Sequence, residues 1–203
     1  MSIFSRSGDI KDFWRYSPVA TIVFAVNALV FLAAIVTGGF DGPVGEWAYI
    51  NYPKVFEQGE YYRILSGAFH HWSVLHFAFN MVIGVVVLST ALERAIGSKK
   101  FSIIYFGSLV ISSTLTAYLS NIPSAGASGA IFGVLGCLLW ISFYRKDILH
   151  YRDVQSIWVL VAFQVIATFT SPDISIPAHL SGLASGFLLS YLIIRQNVFK
   201  VLH

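Results

Sequence analysis

Charge is what this sequence has least of: Asp, Glu, Lys and Arg together make up 11% of its 203 residues. A soluble domain carries roughly 25%, so an ordinary water-soluble fold is excluded. Cysteine is almost absent. The single Cys137 falls inside an apolar stretch, which rules out a disulfide framework and leaves the redox compartment unread. Segments of about ten residues with alternating polarity are also missing, so a membrane β-barrel does not fit. No Asp, Glu or Cys accompanies His70 and His71 at their depth, and a zinc site there is a weak reading.

What is present is apolar: 56% of the residues are hydrophobic and the mean hydropathy is +0.71. Charge-free runs cover 16–40, 64–92, 101–144, 154–172 and 174–194. A helical span needs about 20 apolar residues, so the 44-residue third run is long enough for two. It breaks at Asn121-Ile122-Pro123-Ser124-Ala125-Gly126, whose turn formers do not extend a helix. Because backbone groups in lipid must be satisfied internally, six helices are predicted near 18–37, 72–92, 101–119, 127–144, 155–171 and 177–194. The fold class is all-α: a polytopic membrane protein forming a six-helix bundle. Its single domain covers 18–194, between short tails at 1–17 and 195–203. The first span is too long for the apolar core of a cleaved signal peptide and lacks a following cleavage site, so it is expected to stay.

With six spans, 11 of the 13 Lys and Arg residues fall on one side, and only Lys54 and Arg63 fall on the other. The positive-inside rule then makes both termini cytoplasmic. A net charge of +3 and a pI near 9.0 follow from that orientation. The basic residues are scattered over four short segments, which argues against a nucleic-acid partner.

This topology lines up four polar residues. Ser128 and His179 each lie in the first turn of a span entering from outside, and His76 and Asn80 sit four residues apart on a third such span, on one helical face. Intramembrane polar groups are costly and usually face a cavity or each other, although such residues also serve as ordinary helix-packing contacts. Gly129, Gly133 and Gly136 on the fourth span, and Gly182 and Gly186 on the sixth, supply small surfaces for close approach. Packing those stripes together would bring Ser128 toward His179, the geometry in which a base activates a serine. Phe132, one turn beyond Ser128, would lie near the imidazole. The loop 38–62 is rich in aromatics, with Trp47, Tyr49, Tyr52, Phe56 and Tyr61, and reads as an interfacial scaffold.

On these residues the chain resembles a rhomboid intramembrane serine protease of the minimal six-helix prokaryotic type. The matching pieces are Gly126-Ala127-Ser128-Gly129, Ala178-His179-x-x-Gly182 and His71-x-x-x-x-His76-x-x-x-Asn80, with Arg63 as the arginine of a Trp-Arg element and Glu93 with Gly97 as an E-x-x-x-G. The likeness covers roughly 62–194. Tyr62 stands where the family has tryptophan, and Phe132 where several relatives have tyrosine. The resemblance implies acyl transfer through a Ser128–His179 dyad, with no third carboxylate; Asp173, the only nearby acid, is expected to be solvated. It also implies an oxyanion site from the Ser128 N–H, His76 and Asn80, with Gly126, Gly129, Phe132 and Gly182 supporting. No metal or other cofactor is implied. The expected substrates are single-pass membrane proteins, cut from the outer side of a cell membrane. Two other readings are a catalytically silent relative that binds membrane proteins and a small transporter; inverted repeats and charged midspan residues that would favour the transporter are missing.

Overall fold

A computed structural model of the chain describes residues 10–145, 149–170 and 174–194. After a short helix at Ile10–Tyr16, five helices are long and apolar enough to cross a membrane: Pro18–Val36, Val74–Ile96, Ser98–Leu119, Tyr151–Thr170 and Ile176–Ile193. A sixth apolar helix, Ser128–Tyr144, has 17 residues. Among the described residues there are no strands, only one pair of extended residues, Ile50 and Ser124. The six are called the first to sixth spans in chain order.

Three spans outrun the predicted ends, for one physical reason. The second continues through Glu93 and Arg94 to Ile96, the third begins three residues earlier at Ser98 and takes in Lys99 and Lys100, and the fifth begins at Tyr151 and takes in Arg152 and Asp153. A charge ends a hydrophobic run but not a helix, because long charged side chains can reach out to the interface. What ends the second span is Gly97, at φ +83°, a left-handed conformation that glycine adopts at no steric cost.

Glu93 is buried because it has partners. Its two carboxyl oxygens accept from the backbone N–H groups of Val19 (3.0 Å) and Ala20 (2.8 Å). Those belong to the first turn of the first span, where N–H groups have no intrahelical acceptor and the helix dipole favours negative charge. Arg94 Nε donates to Ser17 Oγ at 3.1 Å beside it.

The fourth span is the axis of the bundle. Thirteen of its 17 residues are buried, so it meets neighbours on nearly every side, and its glycines set how closely. A Cβ on Gly182 would collide with the Gly129 carbonyl, one on Gly186 with the Gly133 carbonyl, and one on Gly136 with the Leu183 carbonyl. The fourth and sixth spans therefore touch backbone to backbone. On other faces, Gly133 leaves room for Ser108 of the third span, and Gly84 of the second leaves room for Ile131. The first and fifth spans present outward Leu29, Leu32, Val36, Val159, Phe163 and Ile166. Water would not tolerate so large an apolar surface, and lipid does.

The loop 38–62 folds onto the bundle through a helix at Pro43–Ala48 and a turn at Pro53–Glu57. Arg63 organises it: its Nη1 donates to the carbonyls of Glu46 (2.7 Å) and Tyr49 (2.8 Å), and it pairs with Glu60. Tyr62, the departure from Trp-Arg, stacks on Trp47 at 5.5 Å.

Candidate active site

The approach to Ser128 is fixed by backbone bonds. Ile50 and Ser124 exchange N–H···O bonds of 2.8 and 2.9 Å, and Gly126 N donates to the Gly67 carbonyl at 2.8 Å. Gly126 is at φ +129°. A Cβ there would also fall 2.7 Å from His76 Cε1 and 2.9 Å from its Nε2. Only glycine satisfies both conditions, and its lack of a side chain lets the His76 ring close on the backbone just ahead of Ser128.

Ser128 is the first residue of the fourth span and is half-buried. Its position leaves it among the first four N–H groups, which have no acceptor within the helix and form a natural anion site. His179 lies in the first turn of the sixth span, which Ser175 opens by accepting from the Ala178 N–H. The glycine seam brings these two helix starts together: a Cβ on Gly129 would be 3.6 Å from the Ala178 carbonyl oxygen, and one on Gly182 would be 3.1 Å from Phe132 Cβ.

The His179 ring is held on two sides. Phe132 stacks on it, with centroids 3.9 Å apart and planes 20° off parallel. Its Nδ1 lies 2.8 Å from Thr168 Oγ1. Thr168 had not been singled out in the sequence. Asn80 is buried, and its amide donates to the His76 carbonyl at 2.9 Å, leaving its second N–H without a recorded bond. Asn80 is the second residue of a π-helical stretch, Phe79–Ser89, inside the second span; such irregularities are frequent at functional sites. Asp173 lies outside the described residues.

His70 and His71 are fully buried, and no ring nitrogen of either bonds another side chain; only the backbone of Phe40 stands by His70 and that of Phe69 by His71. His71 packs edge-on against His76 (4.9 Å) and Phe77 (5.5 Å). Burial first, and then the neighbouring His76 and His70, push its pKa down to about 3. His70 is lowered as well, mainly by burial. Both are neutral rings at physiological pH. Among the described residues, no group of three or more His, Cys, Asp or Glu side chains is placed to hold a metal.

A serine at a helix start, an imidazole stacked on Phe132 and a second histidine beside the serine's backbone thus lie on neighbouring helices of an apolar, membrane-spanning bundle. The Rhomboid domain family matches residues 58–196 of the chain. The chain is 31% identical over 202 residues to the YdcA protein of Bacillus subtilis, covering 96% of this chain and 98% of that one. It is 27% identical to the rhomboid protease GlpG of Haemophilus influenzae over 181 residues, 86% of this chain and 90% of that one. With the rhomboid protease GluP of Bacillus subtilis it shares 31% identity over 90% of its own length but only 36% of that longer protein. The chain belongs to the rhomboid family, and it is an intramembrane serine protease.

Proposed function

We propose that the chain hydrolyses peptide bonds in or near the membrane-spanning segment of single-pass membrane proteins through a Ser128–His179 dyad. The observation that carries this reading is the seam of Gly129 against Gly182, which sets the helix starts bearing Ser128 and His179 side by side. His179 Nε2 takes the proton of Ser128 Oγ as that oxygen attacks the scissile carbonyl carbon. The tetrahedral oxyanion is met by the Ser128 N–H, His76 and Asn80. Collapse breaks the C–N bond, and the leaving amine takes the proton from His179. Water then attacks the acyl ester, gives its proton to His179 and releases the carboxyl product, and the proton returns to Ser128 Oγ.

The 11-to-2 distribution of basic residues supports a site that opens to the external side, with both tails cytoplasmic. Peptide hydrolysis needs water, which the hydrocarbon centre does not supply. The substrate must also be extended to reach Ser128, so glycine or proline near its cleavage point favours cutting. A fluorophosphonate probe tests the chemistry: it should label the wild type and not Ser128→Ala. Orientation is read by cysteines placed at Gly42 and Lys99 in a Cys137-free background, of which only the first should react with an impermeant reagent on intact cells; the reverse pattern would put the site on the cytoplasmic side.

A further inference from the structure

His179 Nδ1 and Thr168 Oγ1 are 2.8 Å apart, between the last turn of the fifth span and the first turn of the sixth. Thr168 is 1% exposed and His179 is 8% exposed, so water does not compete freely for the contact. The same hydroxyl also lies 2.8 Å from the Gln164 carbonyl, one turn back on the fifth span. A threonine has one O–H proton and two lone pairs. The Gln164 carbonyl can only accept, so the hydroxyl proton goes there. A lone pair of Oγ1 then faces Nδ1, which must donate.

We propose that Thr168 is a positioning residue for His179: its hydroxyl accepts from Nδ1–H and thereby fixes the neutral ring in the tautomer whose lone pair is on Nε2. The proposal rests on the Ser128–His179 reading, because the tautomer matters only if Nε2 acts as the base. Phe132 fixes the plane of the ring, and Thr168 fixes its rotation within that plane and which nitrogen bears the proton. During catalysis no proton moves along this contact. When Nε2 takes the serine proton, the imidazolium keeps Nδ1–H on Thr168, so one geometry serves both charge states. In the triad of soluble serine proteases a carboxylate takes this place. Here a neutral hydroxyl, itself tied to the backbone of its helix, does so inside an apolar bundle where an unpaired carboxylate would be costly.

Thr168→Val keeps the branched shape and removes the acceptor. Nδ1–H would then be a buried donor without a partner, a penalty that shifts the ring toward the opposite tautomer. The expected result is fluorophosphonate labelling of Ser128 slowed by about ten- to a hundredfold, with thermal stability near that of the wild type and with Thr168→Ser restoring most of the rate. A rate in Thr168→Val equal to the wild type overturns the proposal and leaves the dyad standing, and so does a Thr168→Ser rate as low as that of the valine variant, which would mark a packing effect. Failure of the wild type itself to label overturns the dyad and this proposal with it. The tautomer has a readout independent of activity and of any variant at Thr168: nitrogen NMR of histidine-labelled wild type in detergent, with His179 assigned by its loss in His179→Gln. A proton on Nδ1 and none on Nε2 is expected; a proton on Nε2 alone overturns the assignment.

Discussion

His179 and His71 are buried imidazoles in one protein, and both sit beside an aromatic ring. His71 has rings around it and no side-chain hydrogen bond. His179 has a ring on its face and a hydroxyl on Nδ1. Desolvation without a side-chain partner makes a ring neutral and leaves its rotation largely to packing. A partner on one nitrogen adds a direction: it states which way the ring turns and which nitrogen keeps its lone pair. Burial alone leaves a core residue, and burial with one directed bond leaves a ring with a defined orientation, which the proposed base needs.

The comparison is tested most severely at the proposed dyad. Ser128→Ala and His179→Ala should each lower turnover of a membrane-protein substrate by on the order of 10⁴-fold or more, whereas His71→Phe should leave the chemistry in place. Substantial cleavage by purified, folded Ser128→Ala would remove the nucleophile and make His179 no different in kind from His71. At the oxyanion position, losing His76 or Asn80 should slow turnover by up to about 10² to 10³-fold, with thermal stability measured alongside. Unimpaired activity in the double substitution would return both residues to packing.

Phe132 separates ring packing from ring positioning. Phe132→Tyr should retain most of the activity, and Phe132→Ala should cut it by about tenfold or more, with part of the loss arising from a truncation that costs about 3–5 kcal/mol in soluble cores. Turnover per folded molecule, with detergent melting temperature as the control, decides between these. Full turnover in folded Phe132→Ala would refute the positioning role.

The smallest effect is expected at His71, and it concerns pH. Its folded pKa of about 3 lies below the unfolded value of 6.5, so below pH 6.5 the unfolded chain binds a proton that the folded chain refuses. Stability is fully present above 6.5 and falls as the pH drops from there toward 3, by at most about 1.4 kcal/mol per pH unit from this group. Melting in detergent at pH 7 and pH 5 should show a larger drop for the wild type than for His71→Phe. Equal drops would mean that His71 is hydrated or partnered in the folded protein.

Much of this arrangement was legible in the sequence, because membrane topology converts position along a helix into depth. That argument alone groups Ser128, His179, His76 and Asn80. The same argument applies to Thr168, in the last turn of the fifth span as His179 is in the first turn of the sixth, but the sequence does not single it out. A threonine in an apolar helix commonly bonds the carbonyl one turn back, as Thr168 does to Gln164, and the sequence carries no mark of a second partner. The glycine stripes were visible, but which carbonyl each admits depends on the rotation of two helices about their axes. The span ends were misjudged at Glu93, Lys99 and Arg152 because hydropathy measures comfort in lipid, while a helix stops only where backbone geometry changes, as at Gly97.

Glu93 has a consequence for how the first two spans are held together. Its carboxyl group is satisfied by the start of the first span, 73 and 74 residues earlier in the chain, and by nothing on the second span itself. Packed in the bundle, a buried carboxylate needs donors, and the Val19 and Ala20 N–H groups, which lack acceptors in their own helix, supply them. The contact thus lies wholly within the first 93 residues and ties the start of the first span to the C-terminal end of the second without help from the helices that carry Ser128 and His179. A variant such as Glu93→Leu would insert its second span more readily and lose the clasp that tells the first span where to stand.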